Sequence, residues 1–163
     1  MRERKADGTS SRRIECYVRA ALPASVGERQ RERIERLRRL EADGGPAVTI
    51  HTWPKRVTLD GPAADALAPR RYRAFAAWAH EHDVSIGPFF ETRTCQSFLA
   101  EEPRRELRTP SICLAASVDD ALRWVAPHTD ADRTCTVVDA LDALAAGDPA
   151  AVPNGTAERA AVR

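Results

Sequence analysis

Between residues 13 and 20 apolar and polar positions alternate, with Ile14, Cys16 and Val18 set against Glu15, Tyr17 and Arg19. A period of two is that of a half-buried strand, which turns Cys16 to the core and leaves the Tyr17 side as the outer face. Farther on the period lengthens. From Ser25 to about Asp43, the residues Val26, Gln30, Ile34, Leu37 and Leu40 fall on one arc at roughly 100° per residue, and Glu28, Glu32 and Glu35 lie opposite, which predicts a long amphipathic helix. Ser25 followed by Glu28 has capping-box spacing, and Gly44-Gly45 supply the stop. Within this helix Glu32 with Arg36 and Glu35 with Arg39 form i, i+4 pairs.

The pattern continues through Ala47–Thr52 as a second strand, a turn at Trp53-Pro54-Lys55-Arg56, and a short extended piece, Val57–Leu59. A second helix is expected from Pro69 to about Asp83, with Tyr72, Phe75, Ala76 and Ala79 inside. Residues 84–95 read as an irregular or edge strand pinned by Phe89 and Phe90, whereas the charged stretch 101–108 gives no clear period. Ser111–Ser117, apolar on both faces, then a turn at Val118–Ala121 and a strand Leu122–Ala126 predict a hairpin with a central first strand. Thr136 with Asp139 opens a last helix through Val137, Leu141 and Leu144, and Gly147 ends it.

This order of elements predicts an α/β fold: a two-layer sandwich in which a mixed β-sheet carries about three helices on one face. Residues 13–147 form the single domain, 1–12 a disordered N-terminal segment and 148–163 a flexible C-terminal tail. A length of 163 residues with 43% hydrophobic residues agrees with one domain that buries a core. The opening MRERKADGTS has neither the apolar stretch nor the cleavage site of a secretory signal, and no run approaches the roughly 18 apolar residues of a membrane span. A cytoplasmic location with no membrane partner is therefore expected.

Charge changes the picture by region and not in total, since the net charge is +1. Residues 1–110 hold 21 Lys plus Arg against 16 Asp plus Glu, while 111–150 hold 2 against 7, so a basic part precedes an acidic one. Four cysteines, Cys16, Cys95, Cys113 and Cys135, contain no CxxC pair, which excludes a zinc ribbon or a thioredoxin-type redox motif. His80 and His82, two apart on a helix, diverge by about 200° and cannot grip one ion together. Nothing in the pattern calls for a metal or a cofactor. No phosphate-binding glycine loop, GxSxG elbow or HExxH helix is present. Cys95, between Arg93 and Gln96-Ser97, is the best candidate for a nucleophile, with Cys135 second.

Three functional readings remain. The first is a non-catalytic binding, regulatory or adaptor module for a protein or small-molecule partner, with the Tyr17 face open to a partner or to a second copy in a homodimer. The second is a DNA-associated transcriptional regulator, in which the first long helix and the Lys55-Arg56 turn resemble the last helix and wing of a winged-helix reader. Its candidate contacts are Arg31, Arg38, Lys55, Arg56, Arg70 and Arg71, and Arg73, Arg93, Arg104, Arg105 and Arg108 extend the basic surface. The third is an enzyme built on a Cys95 nucleophile. The stretches IECYVRA, VTIHTWPKRV, AFAAWAHEHDVSIGPFFETR, SICLA with LRWVAPH, and TVVDALDAL together resemble a family of small conserved proteins of halophilic archaea, some of them labelled helix-turn-helix domain proteins. The resemblance spans about residues 14–146; it implies a cytoplasmic archaeal protein with a regulatory role and assigns no catalytic residue.

Overall fold

The structure is a computed structural model that describes residues 11–96, 99 and 102–147. Most of the expected N-terminal segment and all of the expected C-terminal tail lie outside the described residues. In chain order the elements are β1 (Arg12–Arg19), α1 (Ala24–Ala42), β2 (Ala47–Trp53), β3 (Arg56–Thr58), a 3-10 turn (Gly61–Asp65), α2 (Leu67–Glu81), β4 (Glu91–Cys95), β5 (Arg104–Arg108), β6 (Ile112–Val118), β7 (Ala121–Ala126), β8 (His128–Asp130), β9 (Arg133–Cys135) and α3 (Val137–Ala145). No helix is long and apolar enough to cross a membrane among the described residues.

The main sheet has the order β2-β1-β6-β7. β1 and β2 run parallel, with Ile14 opposite Val48 and Tyr17 opposite His51, so α1 is the crossover of a β-α-β unit. β6 pairs antiparallel with the other edge of β1, and β7 with β6. The β6–β7 hairpin turns at Asp119 and Asp120, both at positive φ (50° and 64°), the backbone that lets a two-residue loop follow the strand twist. The α/β class, the mixed sheet and the three helices agree with the reading from sequence.

The helices are divided differently from that reading. Cys16 and Tyr17, adjacent on β1 and therefore on opposite faces, are both fully buried. α1 and α3 lie together on the Cys16 side, tied by an Arg36–Asp142 ion pair of 2.6 Å. α2 covers the Tyr17 side, where Phe75 meets Tyr17 edge-on at 5.8 Å and the Trp78 indole donates to the Arg123 carbonyl at 2.9 Å. The Tyr17 face is thus not an open partner surface. Tyr17, Trp53, Phe75 and Phe90 bring their rings together there, and burial of this aromatic area is what holds α2 against the sheet.

Local signals are realised unevenly. The α3 capping box forms in full: Asp139 N–H donates to Thr136 Oγ1 at 3.1 Å, and Thr136 N–H donates to Asp139 Oδ2 at 2.8 Å. α1 ends in a Schellman motif, with Gly45 N–H bonded to Leu40 O and Gly44 at φ 89°. Its start differs from expectation. Pro23 occupies the cap position and the helix begins at Ala24, so Ser25 lies inside the first turn and makes no cap bond. Arg36 also turns from Glu32 to Asp142, a partner on α3 that sequence spacing does not reveal.

Candidate nucleic-acid interface

Residues 104–108, without period in the sequence, form the centre of a second sheet with order β3-β5-β4. Cross-strand partners share a face, so the register Arg56–Arg108–Glu91, Thr58–Glu106–Arg93 and Arg104–Cys95 places these side chains on one side. The other side carries Val57 and the buried Leu107 toward the core. The outer side is therefore a solvent-facing sheet with Arg56, Arg93, Arg104 and Arg108 against Glu91 and Glu106, and Lys55 lies exposed in the turn leading into it.

Glu106 organises this face. It accepts from Arg93 Nη2 at 3.0 Å and lies 3.8 Å from Arg56 Nε, while Arg108 reaches Glu91 at 4.0 Å. The hydrogen bond from Arg93 to Glu106 holds that guanidinium's pKa above its ordinary value, so it stays a full cation. On the side of Arg105, its main-chain N–H and its guanidinium engage the Asp60 carboxylate, and the N–H bond holds Asp60 below the usual carboxylate range. Arg93, Arg104 and Arg105 are all exposed, while the edge of β5 away from β4 stays held as far as Arg105, whose carbonyl accepts from Leu59 N–H and whose N–H donates to Asp60.

The six candidates from the sequence do not converge on one surface. Arg31 and Arg38, seven residues apart on one face of α1, belong to the Cys16 side, and Arg38 is engaged by Glu41 at 3.2 Å and by the Val48 carbonyl. Arg70 is exposed on α2, on the opposite side of the main sheet. Arg71 is turned inward: it pairs with Glu15 at 3.0 Å, its guanidinium carbon lies 5.2 Å from the Phe75 ring centroid, and its Nε is buried without a partner. Lys55 and Arg56 alone join the second sheet. The winged-helix geometry is also not what forms, because β2 lies parallel beside β1 and β3 belongs to the other sheet, so 47–59 is not a hairpin wing.

Cys95 has a different setting from that of an activated nucleophile. Its thiol points to the Glu106 carboxylate, with Sγ 3.9 Å from Oε2. His51 stacks on Tyr17 at 5.0 Å, and His128 is buried edge-on to Trp78. Burial raises the Cys135 thiol to about 11. No group of three or more His, Cys, Asp or Glu could hold a metal ion among the described residues.

Fold and surface together define an α/β domain with a three-stranded sheet whose exposed face carries more cations than carboxylates. A family model described as a helix-turn-helix domain matches residues 6–149, and the chain belongs to that family. No curated protein and no solved structure matches the chain. Among the described residues no two α-helices follow one another through a tight turn; α1 lies between β1 and β2, and the nearest approach is the 3-10 turn Gly61–Asp65 joined to α2 through Ala66.

Proposed function

We propose that the protein is a cytoplasmic DNA-associated regulator that contacts the phosphate backbone through the outer face of β3-β5-β4. The family assignment supports a DNA-binding role. The observation that carries the choice of surface is the exposed row Arg56, Arg93, Arg104 and Arg108, extended by Lys55, in which cations outnumber the two carboxylates. Such a face binds by neutralising phosphates and releasing counterions, so affinity falls steeply with salt. In the halophilic setting that the sequence resemblance implies, molar salt shortens the Debye length to about 3 Å, and contact then depends on close fit instead of long-range steering.

The test is binding of the folded protein to a random-sequence duplex pool across a salt series. Saturable binding that weakens with salt, is lost in Lys55→Glu plus Arg56→Glu and in Arg93→Glu plus Arg104→Glu, and survives Arg31→Glu, supports this surface. Loss in Arg31→Glu with retention in the other variants moves the contact to α1. No binding at the lowest salt that keeps the fold leaves the role of a module for a protein or small-molecule partner.

A further inference from the structure

Among the described residues β2 is an edge of the main sheet, and its outer edge is open over a defined length. The Trp53 carbonyl accepts from Ala20 on the β1 side, so the main-chain groups of Thr49, His51 and Trp53 turn inward and those of Val48, Ile50 and Thr52 turn outward. At Val48 both outward groups are occupied: the N–H donates to Glu41 Oε2 and the carbonyl accepts from Arg38 Nη1. At the other end Pro54 has no N–H to offer. Between these stops, the N–H and C=O of Ile50 and of Thr52 bond to no described residue. Residues 47–53 carry no Lys, Arg, Asp or Glu, and such an uncharged edge is a template for another strand.

We infer that this edge pairs with the same edge of a second copy, antiparallel about a two-fold axis at His51, joining the two four-stranded sheets into one. In that register Ile50 lies opposite the partner's Thr52 and Thr52 opposite the partner's Ile50, and each pair exchanges both main-chain hydrogen bonds. His51 meets the partner's His51 as a non-hydrogen-bonded pair, Cα atoms about 4.5 Å apart. The blocked positions select this register. An axis at Ile50 sets Thr52 against the occupied Val48, and an axis at Thr52 sets Ile50 against Pro54. An axis at His51 opposes Val48 to Pro54, the two positions that have least to offer. The open and closed positions of β2 are thus complementary to themselves in antiparallel order, which makes a second copy the fitting occupant. The inference does not rest on DNA binding; a dimer presents two copies of the β3-β5-β4 face.

Sedimentation of the full chain over a concentration series tests it, with Thr52→Pro to remove one outward N–H on an edge that tolerates proline. Register is tested in a Cys95→Ser background by oxidation of His51→Cys and of Thr49→Cys, since Cα atoms of a disulfide must lie about 4.4–6.8 Å apart. The expected results are a concentration-dependent dimer, a monomer with an unchanged circular dichroism spectrum in Thr52→Pro, and cross-linking of His51→Cys but not of Thr49→Cys. A wild-type monomer at every concentration overturns the proposal, as does a dimer that persists in folded Thr52→Pro or cross-links through Thr49→Cys. Should Thr52→Pro not fold, the two cysteine variants decide. DNA binding by a strict monomer would remove this inference and leave the DNA reading standing.

Discussion

Arg56 and Arg108 stand directly opposite one another across the β3–β5 pair. Like charges in that position disfavour the sheet, and here the nearest acids, Glu106 at 3.8 Å from Arg56 and Glu91 at 4.0 Å from Arg108, offset them at an exposed surface where each such pair is worth little. A surface that receives phosphate gains from the apposition that the isolated sheet does not. Arg108→Thr therefore leaves stability unchanged or raises it by up to about 0.5 kcal/mol while DNA affinity falls. Urea melts beside binding isotherms check this; a loss of stability larger than about 1 kcal/mol would assign Arg108 a structural role instead.

Glu106→Gln separates the same two roles from the opposite direction. Glu106 is the acid shared by Arg93 and Arg56, and its neutralisation frees both guanidiniums toward solvent. DNA binding is expected to tighten, and the slope of log affinity against log salt to steepen by about one phosphate contact, near 0.9. Weaker binding in Glu106→Gln would mean that the ion pairs order the arginines and that this ordering outweighs the charge.

What the sequence made legible follows from how completely one physical rule governs each segment. β1, the Thr136–Asp139 box and the turn at Asp119-Asp120 obey local rules and are readable. β5 is not, because Arg104–Arg108 buries Leu107 alone and a strand with one inward apolar residue has no period to detect. Tyr17 reads as an outer residue because Glu15 and Arg19 flank it, yet α2, more than 50 residues along the chain, lays Phe75 and Arg71 over its ring. Trp53 reads as part of a turn because Pro54-Lys55 follows, and it is a core residue whose indole donates to the Pro110 carbonyl. The basic residues of the candidate interface are visible one by one, but which of them share a face is set by a register between distant strands.

Alkaline titration reads the burial of the thiols. Burial raises Cys16 to about 12 and Cys135 to about 11, and pushes Cys113 well above its ordinary value of 9.0. The folded state thus keeps three protons that the unfolded chain releases near pH 9, and stability declines as pH rises through that range. The decline amounts to at most about 1.4 kcal/mol per pH unit for each thiol. Urea midpoints between pH 8 and 11 follow this, and Cys113→Ala should flatten the dependence. Under native conditions near pH 8 one thiol, that of half-exposed Cys95, is expected to react with a thiol reagent at a rate independent of global unfolding.

The Tyr17 phenol donates to Glu15 Oε2 at 2.6 Å, and Arg71 Nη2 forms an ion pair with the same oxygen at 3.0 Å. Burial first, and then the bond to Glu15, raises the Tyr17 pKa, so the neutral phenol belongs to the folded state. That contribution is fully present below the ordinary tyrosine value near 10 and is lost as pH climbs above it. Tyr17→Phe keeps the ring against Trp53 and Phe75 and leaves Glu15 paired with Arg71, so it should cost about 1–2 kcal/mol. Arg71→Met removes the cation that pairs with Glu15 and lies over Tyr17 and Phe75, and leaves a half-buried carboxylate with weaker compensation, so it should cost more than Tyr17→Phe. Urea melts at pH 7 rank the two; a Tyr17→Phe loss that exceeds the Arg71→Met loss would show that the phenol, and not the guanidinium, holds Glu15 in place beneath α2.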